Sequence, residues 1–167
     1  AFSGCSSLTS ITIPEGVTSI GGYAFDNCTA LKKVIIEDGN TTLSLGYNGS
    51  SKGLFYDCPL EEVYLGRNLS YSSGSSYGYS PFYNKDALTN VTIGDEVTAI
   101  SQYAFYSCDN IHSLTIPSGV LSIGNSAFST PEKVIWLTNT PPSVWTSRFG
   151  KPWYWLNPSG RKKSSCL

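Results

Sequence analysis

The sequence has few of the residues on which catalytic and metal sites are usually built. Its 167 residues include one histidine, His112, and no methionine. Charged residues make up 14% of the chain, well below the quarter or so that is usual in globular proteins. A zinc site needs histidine and cysteine clustered at ligand spacing, and no such cluster occurs. We therefore expect neither a bound metal nor a cofactor.

Long apolar runs and a basic surface are also missing. No stretch of eighteen apolar residues occurs, so we expect no membrane insertion. All twelve acidic residues lie before residue 148, but only six of the eleven basic residues do, which makes the body of the chain a poor partner for nucleic acid. Aromatic residues reach 13%, and this share argues against a disordered chain.

The sequence offers no catalytic constellation. His112 is followed by Ser113, and on a strand the two side chains point to opposite faces, so they cannot form a relay. Neighbouring carboxylates such as Glu61 and Glu62 diverge in the same way and do not form an acid–base pair. We predict a non-enzymatic protein with no catalytic residues.

What the sequence does contain is an internal repeat with a base period of 23 residues. An Ala-Phe pair or a degenerate copy of it marks each unit, and the phenylalanines are Phe2, Phe25, Phe55, Phe82, Phe105 and Phe128. A cysteine follows three residues later in four units, namely Cys5, Cys28, Cys58 and Cys108, with Lys85 at the equivalent place in a fifth.

Each unit continues with a Leu-x-x-Ile-x-Ile segment, whose alternation is typical of a half-buried strand. Proline or glycine then ends the segment in most units. A single unit cannot bury its apolar residues alone, so the units must stack, with each strand pairing with the next. The phenylalanine and cysteine columns are the predicted core. We expect free thiols there, although the strand spacing leaves a Cys5–Cys28 disulfide open.

The unit A-F-x-x-C-x-x-L-x-x-I-x-I-P-x-x-V-x-x-I-G resembles the BspA-like leucine-rich repeat, also called the Treponema pallidum type, over about residues 1–137. The resemblance implies a mainly β, right-handed leucine-rich-repeat solenoid of about five to six repeats, with one parallel sheet face. It also implies an extracellular or bacterial cell-surface protein that adheres to host proteins. Because the array opens in the middle of a unit, we expect a further N-terminal portion or a partner that covers this end.

Two surfaces are candidates for binding. One is the row of outward-facing strand residues, with the apolar pair Ile35 and Tyr64 in its middle. The other is a pair of insertions, 37–53 and 66–80, placed after the strands of consecutive units. Their Tyr, Ser, Gly and Asn content is typical of contact loops, and their tyrosines are Tyr47, Tyr71, Tyr77 and Tyr79.

We divide the chain into a repeat array, 1–137, and a C-terminal capping segment with a basic tail, 138–167. The predicted function is binding of a protein or host-matrix ligand. The alternatives are a carbohydrate-binding module that uses the exposed tyrosines, and a structural spacer in a larger surface protein. The sequence gives no indication of the oligomeric state.

Overall fold

The computed structural model describes residues 1–46, 53–72, 79–129 and 131–137, together with two short strands near the C-terminus. Six strands of four residues each come from successive units: β1 Ser10–Ile13, β3 Lys33–Ile36, β5 Glu62–Leu65, β7 Asn90–Ile93, β9 Ser113–Ile116 and β11 Lys133–Trp136. Shorter strands alternate with them: β2 Ser19–Ile20, β4 Leu43–Leu45, β6 Leu69–Tyr71, β8 Ala99–Ile100 and β10 Ser122–Ile123. The two C-terminal strands are β12 Trp155–Leu156 and β13 Lys162–Lys163.

The repeat pattern correctly predicts a mainly β solenoid of stacked coils. Strands β1, β3, β5 and β7 form one parallel sheet, and β9 pairs in parallel with β11. Within each strand the second and fourth residues face the core, as the apolar alternation requires, and those of β5, Val63 and Leu65, are almost wholly buried. The register is without slip, so equivalent residues of successive units lie directly beside one another.

A second set of parallel strands, which the repeat pattern did not predict, lies on another side of the coil. Strands β2, β4 and β6 form one sheet, and β8 pairs with β10. The junction between β6 and β8 is joined by a side chain instead of a ladder. The side-chain oxygen Asn68 Oδ1 accepts hydrogen bonds from the backbone N–H groups of Thr98 and Ala99, at 2.9 and 3.0 Å.

The two insertions begin later in the coil than the sequence predicts. Their predicted spans, 37–53 and 66–80, start directly after the first strand of the unit. However, the structure places the regular strands β4 and β6 inside these spans, in register with β2. The extra residues therefore lie mainly between the second strand and the phenylalanine, at about 46–53 and 72–80.

The phenylalanine column runs the length of the array as a continuous stack of rings. Successive ring centroids are 4.9–5.4 Å apart, and the ring planes are within 20° of parallel. The five rings from Phe25 to Phe128 are almost completely buried. This spacing matches the distance of about 4.8 Å between paired strands, so rings and strands share one repeat.

The first unit departs from the predicted core. Phe2 is 41% exposed and Cys5 is exposed, although both belong to buried columns in the later units. Phe2 stacks on Phe25, and its ring centroid lies 5.4 Å from that of Phe25.

The cysteine column has a hydrogen-bonding role that the sequence did not reveal. The thiols of Cys28, Cys58 and Cys108 donate to the carbonyl oxygen of the phenylalanine in the preceding unit, at 2.9–3.1 Å. These acceptors are Phe2, Phe25 and Phe82. All four cysteines of the described residues are free thiols, so the Cys5–Cys28 disulfide does not form.

Lys85 follows the same rule with a different donor. Its Nζ donates to the carbonyl oxygen of Phe55 at 2.7 Å, and only 7% of the residue is exposed. Burial lowers the pKa of this amine. Burial also raises the pKa of the Cys58 thiol to about 11 and that of Cys108 to about 12. The column therefore selects a buried hydrogen-bond donor, which a thiol or an amine can supply.

Arg67 is a second buried cation, and its guanidinium group joins the third coil to the first. Its Nη1 and Nη2 donate to the carbonyl oxygens of Glu15 and Pro14, at 2.6 and 2.8 Å, and Nη1 also reaches the hydroxyl of Thr41 at 3.2 Å. These carbonyls follow the end of β1, where the chain turns and no ladder satisfies them. Arg67 thus fastens three coils together at their turns.

The last described coil ends on a tryptophan. Trp136 occupies the inward position that Ile116 fills in the preceding coil, and it is completely buried. Beyond it, β12 contacts β11 and pairs antiparallel with β13. Of the predicted cap and basic tail, only these two strands lie within the described residues.

A pair of alanine substitutions tests the ring stack. Phe105→Ala should lower the free energy of unfolding by about 3–5 kcal/mol, because it removes a buried ring with stacked neighbours on both sides. Phe2→Ala is the matched control, and its loss should stay below about 1.5 kcal/mol because this ring is already partly in water. Urea unfolding measures both, and equal losses would contradict the stack as the source of stability.

Thiol labelling tests the cysteine column. In a Cys166→Ser background, a maleimide at pH 7.5 should modify Cys5 alone in the folded protein, since the other three thiols are buried and hydrogen-bonded. In denaturant the three buried thiols should also react, which adds three further labels per chain. Mass spectrometry counts the labels, and rapid folded-state labelling of Cys58 or Cys108 would contradict the arrangement.

Candidate binding surface

The first set of strands consists of the six four-residue strands β1, β3, β5, β7, β9 and β11. Their outward faces form a strip in which paired strands are in strict register. Its middle row consists of the third residue of each strand, namely Thr12, Ile35, Tyr64 and Thr92, followed after a break by Thr115 and Ile135. The predicted central pair, Ile35 and Tyr64, lies side by side on β3 and β5, and both side chains are half-buried. In the continuous four-stranded part, this apolar pair lies between Thr12 and Thr92, and the separate pair of β9 and β11 ends the row with Ile135.

Two cross-strand ion pairs lie on one side of this apolar centre, toward the start of β3 and β5. Lys33 Nζ lies 2.9 Å from Glu62 Oε1, and Lys32 Nζ lies 2.7 Å from Glu61 Oε1. All four side chains are about half-exposed, so each pair contributes little to stability in water. Their effect is to match the lysine and glutamate charges on this side of Ile35 and Tyr64, whereas the carboxylate of Asp38 lies on the other side.

Tyr64 is held in one orientation by the neighbouring coils. Its hydroxyl donates to Asp38 Oδ1 at 2.8 Å, and this hydrogen bond together with partial burial raises the pKa of the phenol. Gly94 makes room for the pair, because a Cβ there would lie 2.5 Å from Asp38 Oδ1 and 3.0 Å from the Tyr64 hydroxyl. A side chain held in this way loses little conformational freedom on binding a partner.

The predicted loop tyrosines do not behave as one group. Tyr71 is a packing residue: it lies against the core, its hydroxyl donates to the carbonyl oxygen of Gln102 at 2.7 Å, and burial raises its pKa. Tyr79 is half-buried. Tyr47 and Tyr77 lie outside the described residues. Of these four tyrosines, Tyr71 therefore has a structural role, because its ring packs against the core and its hydroxyl is already hydrogen-bonded.

A group of tyrosines that the sequence analysis missed lies beside the phenylalanine column. Tyr83 and Tyr106 each follow a core phenylalanine, and their rings stack at 6.2 Å. Tyr103 meets the Tyr106 ring edge-on at 5.5 Å. The sequence carries a signal for this group, because tyrosine follows phenylalanine in three consecutive units. Tyr56, the third of these residues, is 38% exposed.

The described residues contain no arrangement that resembles a metal site or a catalytic relay. In this part of the chain, no group of three His, Cys, Asp or Glu side chains is placed to hold a metal ion. His112 Nδ1 lies 3.7 Å from Glu132 Oε1, and both side chains are well exposed. The described part also contains no helix with the length and apolar character that crossing a bilayer requires.

The chain is similar to a solved structure and to a protein-family model. No match was found among the curated proteins. Among solved structures, the chain is similar to a leucine-rich repeat protein from Bacteroides ovatus ATCC 8483, with 16% sequence identity and a TM-score of 0.44. The match covers 85% of this chain and 52% of that one, so this chain spans about half the length of its structural neighbour.

The family model for the BspA type leucine rich repeat region matches residues 1–130 in six copies. This number agrees with the six phenylalanines of the stack and with the six strands of the first set. Proteins built from these repeats are typically non-enzymatic surface proteins. The chain belongs to the family of BspA-type leucine-rich repeat proteins.

Proposed function

We propose that this chain is a non-enzymatic extracellular or cell-surface adhesion module that binds a protein of the host matrix through its strand strip. The observation that carries the proposal is the fixed pair of Ile35 and Tyr64 at the centre of the strip. Orientated aromatic residues at the middle of an interface, surrounded by polar ones, are where binding energy concentrates. The lysines and glutamates that precede Ile35 and Tyr64 are matched in two ion pairs, so a partner buries no unmatched charge among these four residues.

The predicted carbohydrate alternative through Tyr47, Tyr71, Tyr77 and Tyr79 receives less support. Tyr71 is fastened to the fold by its hydroxyl, so it offers neither a free ring nor a free donor. A purely structural spacer would have no need of an apolar pair at the centre of the strip. The adhesion module is therefore the function that the strip supports best.

Surface plasmon resonance with fibronectin, laminin and type I collagen tests the proposal. The variant Ile35→Ser/Tyr64→Ala should bind the recognised protein at least tenfold more weakly than the wild type, because the apolar centre is removed. Thr12→Ala, in the same row at the edge of the sheet, is the matched control and should bind like the wild type. Circular dichroism should show that both variants are folded.

Two results would overturn the proposal. One is the absence of binding to any of the three matrix proteins. The other is a double variant that binds as strongly as the wild type. In that second case, deletion of residues 47–52 and 73–78 would test whether the insertions carry the binding instead.

A further inference from the structure

The first sheet is interrupted at one junction. Strands β1, β3, β5 and β7 pair in series, and β9 pairs with β11, but no ladder joins β7 to β9. The two strands are still in contact, and their coils are joined elsewhere by the stacked rings of Phe82 and Phe105 and by the pairing of β8 with β10. The coils are thus closed on the phenylalanine side and separated on the strand side. We call this junction the seam.

A proline accounts for part of the seam. In four coils the residue directly after the first-set strand donates its N–H to the last carbonyl of the preceding strand, at 2.8–3.0 Å. These donors are Glu37, Gly66, Gly94 and Leu137. After β9 the equivalent residue is Pro117, which has no N–H to give to Ile93. This backbone hydrogen bond is present at the other four junctions and cannot form between β7 and β9.

The seam leaves strand backbone without its usual partners. In β3, the carbonyl of Ile36 points toward the following strand and accepts from Gly66. By the same alternation, the backbone groups of Val91 and Ile93 point toward β9, and those of Ser113 and Thr115 point back toward β7. Among the described residues, no backbone hydrogen bond crosses between these strands. Unpaired groups of this kind are costly to bury and are normally satisfied by water or a ligand.

A cleft of about 520 Å³ lies over the seam. Its volume is within the range of about 300–1,000 Å³ that is usual for small-molecule sites. The polar side chains that line it include Asn90, Thr92, Asp95, His112 and Thr115. Pro117 and Leu137 provide an apolar patch at one end, and Leu137 is 41% exposed.

The chemistry of the cleft indicates which ligand fits. Hydroxyl, amide, imidazole and backbone groups together supply both donors and acceptors, which complements a ligand made of hydroxyl groups. The lining holds one carboxylate, Asp95, and no lysine or arginine, so a negatively charged ligand is disfavoured. An inserted peptide strand would need about 4.8 Å on each side, which strands that remain in contact do not leave.

We propose that the seam between β7 and β9 is a binding site for a neutral carbohydrate. Sugar hydroxyl groups hydrogen-bond to the unpaired backbone of Val91 and Ile93 and to the side chains of Thr92 and Thr115. The exposed side chain of Leu137, beside the buried Pro117, receives the C–H face of a sugar ring. This site lies at the break in the strip, between Thr92 and Thr115, and it does not include the central pair, since neither Ile35 nor Tyr64 lines it.

Amide hydrogen exchange tests the seam itself, without any ligand. The N–H groups of Val91 and Ile93 should exchange at least tenfold faster than those of Val34 and Ile36, which hold the same positions in β3 and are paired with β5. Equal protection would show that the junction is closed, and the proposal would be wrong.

Titration followed by ¹H–¹⁵N NMR tests the ligand. The probes are cellotetraose, maltotetraose, mannotetraose and chitotetraose, with tetragalacturonate as the acidic comparison. At least one neutral probe should shift the amide signals of Val91, Ile93, Ser113 and Thr115, and tetragalacturonate should bind at least tenfold more weakly. If no neutral probe shifts these signals at 10 mM, or if the acidic probe binds equally well, the proposal is overturned.

Three variants locate the binding. Thr92→Val/Thr115→Val keeps the branched shape of both side chains and removes two hydroxyl groups, so affinity for the active probe should fall at least fivefold. Thr12→Val is the matched control on β1 and should leave affinity unchanged. Pro117→Gly restores an N–H opposite Ile93, and it should both slow exchange within the seam and weaken binding. Unchanged affinity in the first variant would contradict the site.

The Ile35→Ser/Tyr64→Ala variant separates this site from the central pair of the strip. Neither residue lines the cleft, so this variant should bind the active neutral probe with the affinity of the wild type. A loss of that affinity would contradict a distinct site, and failure of either proposal can therefore be recognised without the other.

Discussion

The fold depends on one distance, the spacing of about 5 Å between successive coils. Paired strands require about 4.8 Å, and the stacked phenylalanine rings repeat at 4.9–5.4 Å. Strand pairing and ring stacking therefore favour the same distance between successive coils. Neither would stabilise a single unit, because the strand needs a neighbour for its hydrogen bonds and the ring needs one for its faces.

The columns between these two sides tolerate substitution if the function of each position is kept. Lys85 is a large cation in a line of cysteines, yet it reaches the same kind of carbonyl that Cys58 and Cys108 reach. The requirement is a donor to the preceding coil, and the size of the donor is secondary. Arg67 acts similarly at the turns, where its guanidinium group satisfies carbonyls that no strand can. Buried cations are thus part of how the coils hold together.

The pattern of residues on the outer face also follows from the regular stacking of the coils. This pattern is interrupted at the seam between β7 and β9. Strict register brings Ile35 beside Tyr64 and Lys33 beside Glu62, so a one-dimensional repeat produces a two-dimensional pattern. At the seam the ring stack continues while the strand ladder does not, and Pro117 accounts for one of the missing hydrogen bonds. An interruption on only one side opens a cleft without dividing the core. The chain therefore presents two surfaces of different chemistry on one sheet face.

Much of the candidate strip was predictable, and much of the remaining surface was not. The alternation of apolar residues identifies which residues of a strand face outward, so Ile35 and Tyr64 follow directly from the pattern. The loop tyrosines were misleading in part, because the second-set strands β4 and β6 extend into the predicted insertions and draw Tyr71 against the core. The contact between the rings of Tyr83 and Tyr106 could not be predicted from either unit alone, because it forms only when the two coils stack.

The amino-acid sequence by itself determined the repeat, the strands, the core columns and the family, because each is a matter of spacing along the chain. Only the tertiary structure decided that Phe2 and Cys5 are exposed, that Lys85 is buried as a donor, and that β7 and β9 are unpaired. The reason is physical. Burial and pairing depend on what the neighbouring coil places about 5 Å away, and a residue's own unit does not contain that information.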